Sequence, residues 1–317
     1  MHVAQDYVWS WWRALQPALG NLYAYMLFPI KNAQQYYEGE ISDFNEVGVK
    51  ALDDRTLQVT LNYPTPYFLQ LLDNYSLFPV HQATIEKFGT ADQRGTRWTY
   101  EGNLVGNGPF QLVDWKINRR IVVQSNPYYW DADNVSLKEI VFIPIENIVT
   151  EERMFRAGQL HVTSSLPADK ISVYREANDP ELKIAPYLGT YYYRLNVRKP
   201  QFQDPRVRRA LAMTVDRQRL VDNITKGGQI PAYAMTPPGT MGYYPKSDLK
   251  FDPEGARRLL AEAGYPDGKG FPATEILYNT NEGHRKVAVA LQEMWKKNLN
   301  IDIRLLNQEW KVYLDSE

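Results

Sequence analysis

Thr274 to Leu306 reads TEILYNTNEGHRKVAVALQEMWKKNLNIDIRLL, and its three segments decide the fold. TEILYNT and IDIRLL read as short strands. Between them Val287, Leu291, Met294 and Trp295 recur at the spacing of one helix face. Two strands separated by a helix of this length can lie side by side only in parallel, because parallel neighbours need a crossover connection. The fold class is therefore α/β.

The preceding residues use the same grammar. Asp204 is placed to cap a helix whose first residue is Pro205, with Val207, Ala210, Leu211 and Val215 on its apolar stripe. Asp252-Pro253 repeats the pattern with Ala256, Leu259, Leu260 and Ala263, and Gly264 stands just past the end as a C′ residue. Nearer the start, VGVKALDDRTLQVTL from Val47 to Leu61 is two alternating runs joined by Asp53-Asp54, a hairpin by its turn chemistry. FQLVDWKINRRIVVQSN holds two more strands around a turn at Asn118. Gly89 to Gly108 is rich in Gly and polar residues and reads as a long loop, not a linker, since Trp98 and Tyr100 lie within it.

One stretch raises a question of its own. GTYYYRLNVRKPQFQDPRVRRAL, Gly189 to Leu211, carries three adjacent tyrosines. On a strand successive side chains point to opposite faces. Tyr191 and Tyr193 then share one face and Tyr192 takes the other, so at least one ring leaves the core.

Composition excludes some function classes and leaves others open. A chain of 317 residues is long for one hydrophobic core, so more than one lobe is expected. The net charge of −1 provides no field to steer nucleic acid or an anionic membrane, and no nucleic-acid partner is expected. Zero cysteines rule out disulfides and Cys-ligated metals but fit either redox compartment. No apolar run approaches a membrane span, and the first residues, MHVAQD, have neither a basic nor an apolar leader region. Both ends read as cuts within a larger protein.

A search for catalytic chemistry is mostly negative. His2, His81, His161 and His284 stand apart with no metal-ligating spacing, and each is read as a surface or hydrogen-bonded structural residue. No nucleophile elbow, dinucleotide fingerprint or phosphate loop occurs. Asp53-Asp54 and Glu151-Glu152 are adjacent carboxylates that diverge in a turn or at a helix start, so turn and helix-end charge roles are expected of them. What the chain has in excess is aromatic: 22 Tyr, 8 Trp and 11 Phe, clustered in YVWSWW, QQYY, NPYYW, PYLGTYYY and GYY. Such rings either fill cores or line a cleft that grips a ligand without reacting with it.

Taken in order, AQDYVWSWWRALQP, GVKALDDRTLQVTLNYPTPYFLQLL, NGPFQLVDWKINRRIVVQSNPYYWD, MFRAGQLHVT, PYLGTYYYRLNVRKPQFQDPRVRRAL, GGQIPAYAMTPPGTMGY, FDPEGARRLLAEAGYPDG and LYNTNEGHRKVAVALQEMWKKNLNIDIRLLNQEWKVYLD resemble the oligopeptide-binding proteins of bacterial ABC importers. The resemblance runs through nearly the whole chain. NQEWK with TYYY is the more specific part, while GPFQL and NPYYW occur more widely among relatives that bind other solutes. It implies the periplasmic-binding-protein-like II fold, class II and three-lobed, here truncated at both ends. Residues 1–67 would belong to the supporting lobe, 68–188 to the first main α/β lobe and 189–317 to the start of the second, with a hinge near Leu188-Gly189.

The same resemblance implies a substrate-binding subunit, not an enzyme, that captures extended oligopeptides through main-chain hydrogen bonds and passes them to an ABC permease in the inner membrane. The complete protein would be periplasmic, with a signal peptide upstream, and monomeric; no cofactor, metal or catalytic residue is implied. Substrate-binding positions carried over are Tyr187 and Tyr192 at the hinge, Thr163, Ser164 and Ser165 in the loop after His161-Val162, and Trp9. Relatives often have Tyr-Asn-Asn where this shorter loop has Thr-Ser-Ser, tyrosine where Trp9 stands, and in some cases cysteine at Gly189. The carboxylate that receives a peptide's amino end would lie beyond Glu317. Two other readings stay open: a binding protein for a different solute, such as a cell-wall peptide, dipeptide or sugar, and a glycosidase-like enzyme with an aromatic cleft and paired carboxylates.

Overall fold

Burial and hydrogen bonding in a computed structural model, which describes residues 3–316, follow these local signals closely. His2 lies outside the described residues. The chain forms two compact units, the first running to Pro144 and the second starting at Ile145.

In the first unit α1 (Ala4–Ala14) turns Trp11, Ala14 and the following Leu15 into a core shared with Leu27, Ile30, Val47 and Phe68. Trp11 is only 2% exposed, and its indole Nε1 donates to the Leu77 carbonyl at 3.0 Å. After α2 (Ala33–Glu38), the expected hairpin forms from β1 (Val49–Asp53) and β2 (Thr56–Val59), antiparallel from Val49 opposite Val59. Asp53 Oδ1 accepts from the Arg55 amide at 2.8 Å, which closes the turn from the side chain. Gly48 precedes the hairpin because a Cβ there would lie 2.5 Å from the Thr60 carbonyl oxygen. Two short helices, α3 (Phe68–Leu71) and α4 (Gln82–Phe88), precede the Gly89–Gly108 loop, whose one helical turn is a 3-10 turn at Arg97–Thr99. The unit ends in an antiparallel sheet of β3 (Phe110–Lys116), β4 (Arg120–Ser125) and β5 (Glu139–Phe142), in that order, with Asn118 left-handed at φ 57° between the first two.

The second unit opens with α5 (Ile148–Arg156) and α6 (Ala168–Glu176), followed by α7 (Pro200–Gln203), α8 (Pro205–Met213), α9 (Arg217–Leu220) and α10 (Pro253–Glu262). Then come β6 (Thr274–Asn279), α11 (Glu282–Leu299), β7 (Ile303–Gln308) and α12 (Trp310–Ser316). β6 and β7 pair in parallel from Thr274 opposite Ile303 to Asn279 opposite Gln308, as a strand, crossover helix and strand must. Val287, Ala288, Leu291, Trp295 and Leu299 of α11 pack with Val207, Ala210 and Leu211 of α8 and with Ala256 and Leu260 of α10. Both expected caps are made: Asp204 accepts from the Arg206 amide at 2.8 Å and Asp252 from the Gly255 amide at 2.9 Å. Gly264 is left-handed at φ +98°, the conformation a C′ residue needs.

One expectation fails. Residues 182–196, which include the three tyrosines, run without any ladder. Alternation fixes which side chains share a face, but a strand also needs a partner for its N–H and C=O groups, and no described strand pairs with this segment.

The caps are testable by themselves. Asp204→Ala and Asp252→Ala should each lower unfolding free energy by ~1 kcal/mol through an unsatisfied helix amide. Urea titration of each variant reads the loss directly. An unchanged midpoint for either would show that the cap contributes nothing at that end.

Candidate functional site

Tyr187 to Tyr192 runs along the surface of the second unit, with Tyr193 turned to its core. The Gly189 amide donates to the Tyr187 carbonyl at 3.1 Å, a tight turn that folds the Tyr187 ring back towards the glycine. A Cβ at Gly189 would meet that ring at 2.5 Å, so the glycine gives the ring its place. Tyr187 is 91% exposed and Tyr192 53% exposed, two aromatic faces open to solvent on one segment. Thr190 Oγ1 donates to the Met235 carbonyl at 2.7 Å, which ties the segment to the loop before α10.

The triplet separates only in part: Tyr193 turns inward, while Tyr191, 56% exposed, is as open as Tyr192. Tyr191 and Tyr193 meet edge to face with ring centres 5.9 Å apart, and Tyr193 packs on the core. Tyr191 also stacks on His284, ring centres 5.5 Å apart, with its hydroxyl 3.0 Å from Nδ1. Burial pushes both phenols up from their ordinary range, and it pushes the His284 imidazole down, since the charged form loses water it cannot replace.

The Thr163–Ser165 loop is held from beneath. Asn147 caps α5 by accepting from the Val149 and Thr150 amides, so the helix begins at Ile148, three residues before Glu151. Glu151 lies in the first turn of α5, the helix start expected of it, but it and Glu152 are inside the unit, 6% and 2% exposed, which the sequence did not suggest. Glu151 Oε1 accepts from both the amide and the hydroxyl of Ser164, at 2.5 and 3.0 Å. Glu152 pairs with Arg156 at 2.7 Å and accepts from the Tyr174 hydroxyl at 3.0 Å, which joins α5 to α6. The loop is thus held at Ser164 by one carboxylate while its neighbour links the flanking helices, and Pro167 just after the loop is fully buried.

Trp9 belongs to the first unit, where it is half-buried on α1 with its ring 6.0 Å from that of Trp12. Of the positions read from the sequence, Ser164 alone is bonded to a buried carboxylate, with Thr163 and Ser165 on either side of it, and Tyr187 and Tyr192 lie on one extended segment. Two residues of this region were missed: Glu151 and His284. A glutamate next to another glutamate carries no signal of burial, and a lone histidine carries none of its partner. Among the described residues no group of three or more His, Asp or Glu is placed to hold a metal ion.

The depressed imidazole has a consequence for stability. His284 binds a proton more readily in the unfolded chain, whose value is near 6.5, than in the folded one. Its contribution is therefore unfavourable below that range, and stability falls as pH drops through about 6.5 towards the lower folded value. His284→Asn should flatten this part of the stability profile between pH 7 and 5 in thermal unfolding. A profile that keeps its slope would assign the effect to another group.

Residues 3–317 match the family described as bacterial extracellular solute-binding proteins, family 5 Middle. The periplasmic oligopeptide-binding protein OppA of Escherichia coli (strain K12) is 40% identical over 324 residues, covering 99% of this chain. The chain spans 58% of that relative's length. The periplasmic murein peptide-binding protein MppA of the same organism is 37% identical, again over 99% of this chain and 58% of its own. Among solved structures, Haemophilus influenzae OppA in complex with RPPGFSPFR superposes with a TM-score of 0.90 at 36% identity, covering 100% of this chain and 62% of that one. These relatives are named as binding proteins, not enzymes. With nearly the whole chain matched by the family, and α/β units whose fold agrees with its solved members, the chain belongs to family 5 of the bacterial extracellular solute-binding proteins.

Proposed function

We propose that this chain is the central part of a periplasmic substrate-binding subunit that captures extended oligopeptides and delivers them to an ABC permease in the inner membrane. The observation that carries this reading is the likeness, along the full chain, to a relative solved with a bound peptide. The local geometry suits it. Exposed tyrosine rings offer broad, rigid contact with a polar tip, and a loop of hydroxyls held at Ser164 by a buried carboxylate offers hydrogen bonds without a fixed charge. Contacts of this kind grip a peptide main chain and leave its side chains in water, so affinity does not demand a particular sequence. On this reading residues 1–67, 68–188 and 189–317 contribute to the supporting, first main and second main lobes, and Tyr187, Tyr192, Trp9, Thr163, Ser164 and Ser165 face the ligand. A cell-wall peptide is the second reading, supported by the comparable identity to the murein peptide-binding protein.

Two measurements test the proposal on the protein expressed from its full coding frame. Native mass spectrometry should find copurified peptides of a few residues; a murein fragment would favour the second reading, and a sugar or other solute would overturn both. In calorimetric titration with tetra-alanine, Tyr192→Phe should weaken binding by ~0.5–1.5 kcal/mol, the net worth of one hydrogen bond, with the melting temperature unchanged. Lost stability with intact binding would mean that Tyr192 is a packing residue.

A further inference from the structure

The bond between Glu151 and Ser164 constrains more than the shape of the loop. Glu151 Oε1 accepts the Ser164 amide proton, so that oxygen carries no proton of its own. The Ser164 hydroxyl, 3.0 Å from the same oxygen, must then be the donor in that contact. A serine hydroxyl has one proton and two lone pairs. With the proton committed to a carboxylate, Ser164 is left with acceptor capacity alone, and the residue is exposed to solvent. The bond to the carboxyl oxygen also draws the hydroxyl proton towards Glu151, which makes the serine oxygen a stronger acceptor.

We infer that Glu151 is a positioning residue that turns Ser164 into an obligate hydrogen-bond acceptor, so that this point of the site takes a ligand N–H and rejects a ligand carbonyl. The inference rests on the proposed peptide-binding function and names the polarity of one contact within it. In an extended peptide, N–H and C=O alternate along each edge, so one committed acceptor fixes the register in which the peptide lies. Glu152 does not share this role, because Arg156 and Tyr174 occupy its oxygens. The pairing also explains how a carboxylate 6% exposed is tolerated. A buried carboxylate is costly unless hydrogen-bonded, and Ser164 supplies two bonds to one oxygen.

The test uses the protein from its full coding frame, with tetra-alanine and the series of tetra-alanines in which each backbone amide in turn is N-methylated. Methylation removes one N–H donor at a time. For the wild type, one methylated position should bind about ten-fold more weakly on account of the lost bond to Ser164. Ser164→Ala should bind tetra-alanine about 5- to 10-fold more weakly and lose the discrimination at that position alone. Glu151→Leu should lose the same discrimination, whereas Glu151→Gln, which keeps an acceptor oxygen, should retain most of it. A residue that only stabilises the fold would lower the melting temperature and leave these ratios as they were.

If Ser164→Ala keeps the wild-type ratio at every position, the contact does not exist. If Ser164→Ala loses discrimination and Glu151→Leu keeps it, the serine binds without help from Glu151, and the assignment of Glu151 is overturned. Should Glu151→Leu fail to fold, Ser164→Ala and the retention of discrimination in Glu151→Gln decide the matter between them. Wild-type protein that takes up no tetra-alanine at all overturns the peptide reading, and this assignment with it.

Discussion

An indole N–H buried away from water must find an acceptor, and in each unit that requirement fixes the central helix. Trp295, 7% exposed in the middle of α11, donates to the carbonyl of Leu211 at 3.0 Å. Leu211 lies in the last turn of α8, where carbonyls have no intrahelical partner. Asn298, further along α11, reaches the Thr214 carbonyl at 3.3 Å, and Arg217 takes the carbonyls of Ala212 and Val215. The end of one helix is therefore closed by side chains of another and of the turn that follows it. Trp11 does the corresponding work in the first unit through the Leu77 carbonyl.

Once α11 is locked on α8, the rest of the second unit has little freedom. The crossover places β6 and β7 side by side, and Ile276, Tyr278 and Ile303 bury against the same helix face. It also sets where α11 begins. Asn281 caps that end by accepting from the His284 amide at 3.1 Å, which holds His284 under the Tyr191 ring. The orientation of the tyrosine segment thus descends from a packing contact more than one helical turn away, not from a ladder of its own. That is why the segment can stay unpaired and yet present Tyr191 and Tyr193 on one side.

The loop at Thr163–Ser165 is organised by a different force. Carboxylates inside a protein are retained only when their oxygens are satisfied, and removing a partner from such a group costs ~3–5 kcal/mol in comparable buried pairs. Glu151 and Glu152 meet that condition with partners drawn from the loop, from α5 itself and from α6. A loop fixed in this way has little conformational freedom left to lose. It differs from the tyrosine segment, where the rings of Tyr187 and Tyr192 are more than half exposed.

The amino-acid sequence by itself determined the features that depend on near neighbours. Asp204 and Asp252 cap helices because their oxygens reach amides two and three residues on. Asp53 closes its hairpin by the same short reach, Gly264 is left-handed because a chain leaving a helix asks for that conformation, and the spacing of Val287, Leu291 and Trp295 marks the face of α11. The likeness of successive segments to one protein family was also legible, because it is a property of order along the chain. Tertiary structure alone decided the rest. Glu151 stands in the first turn of its helix as its sequence suggests, but only the fold lays Ser164, 13 residues later, over it, and His284 looked solitary until Tyr191, 93 residues away, came to lie on it. A strand at Tyr191–Tyr193 was a fair reading of alternation, but strand formation depends on a second segment's hydrogen-bonding groups, which no local pattern contains. Partners separated by many residues leave no mark in the spacing of either one, since only the packing of the core brings them within the ~3 Å at which a hydrogen bond forms.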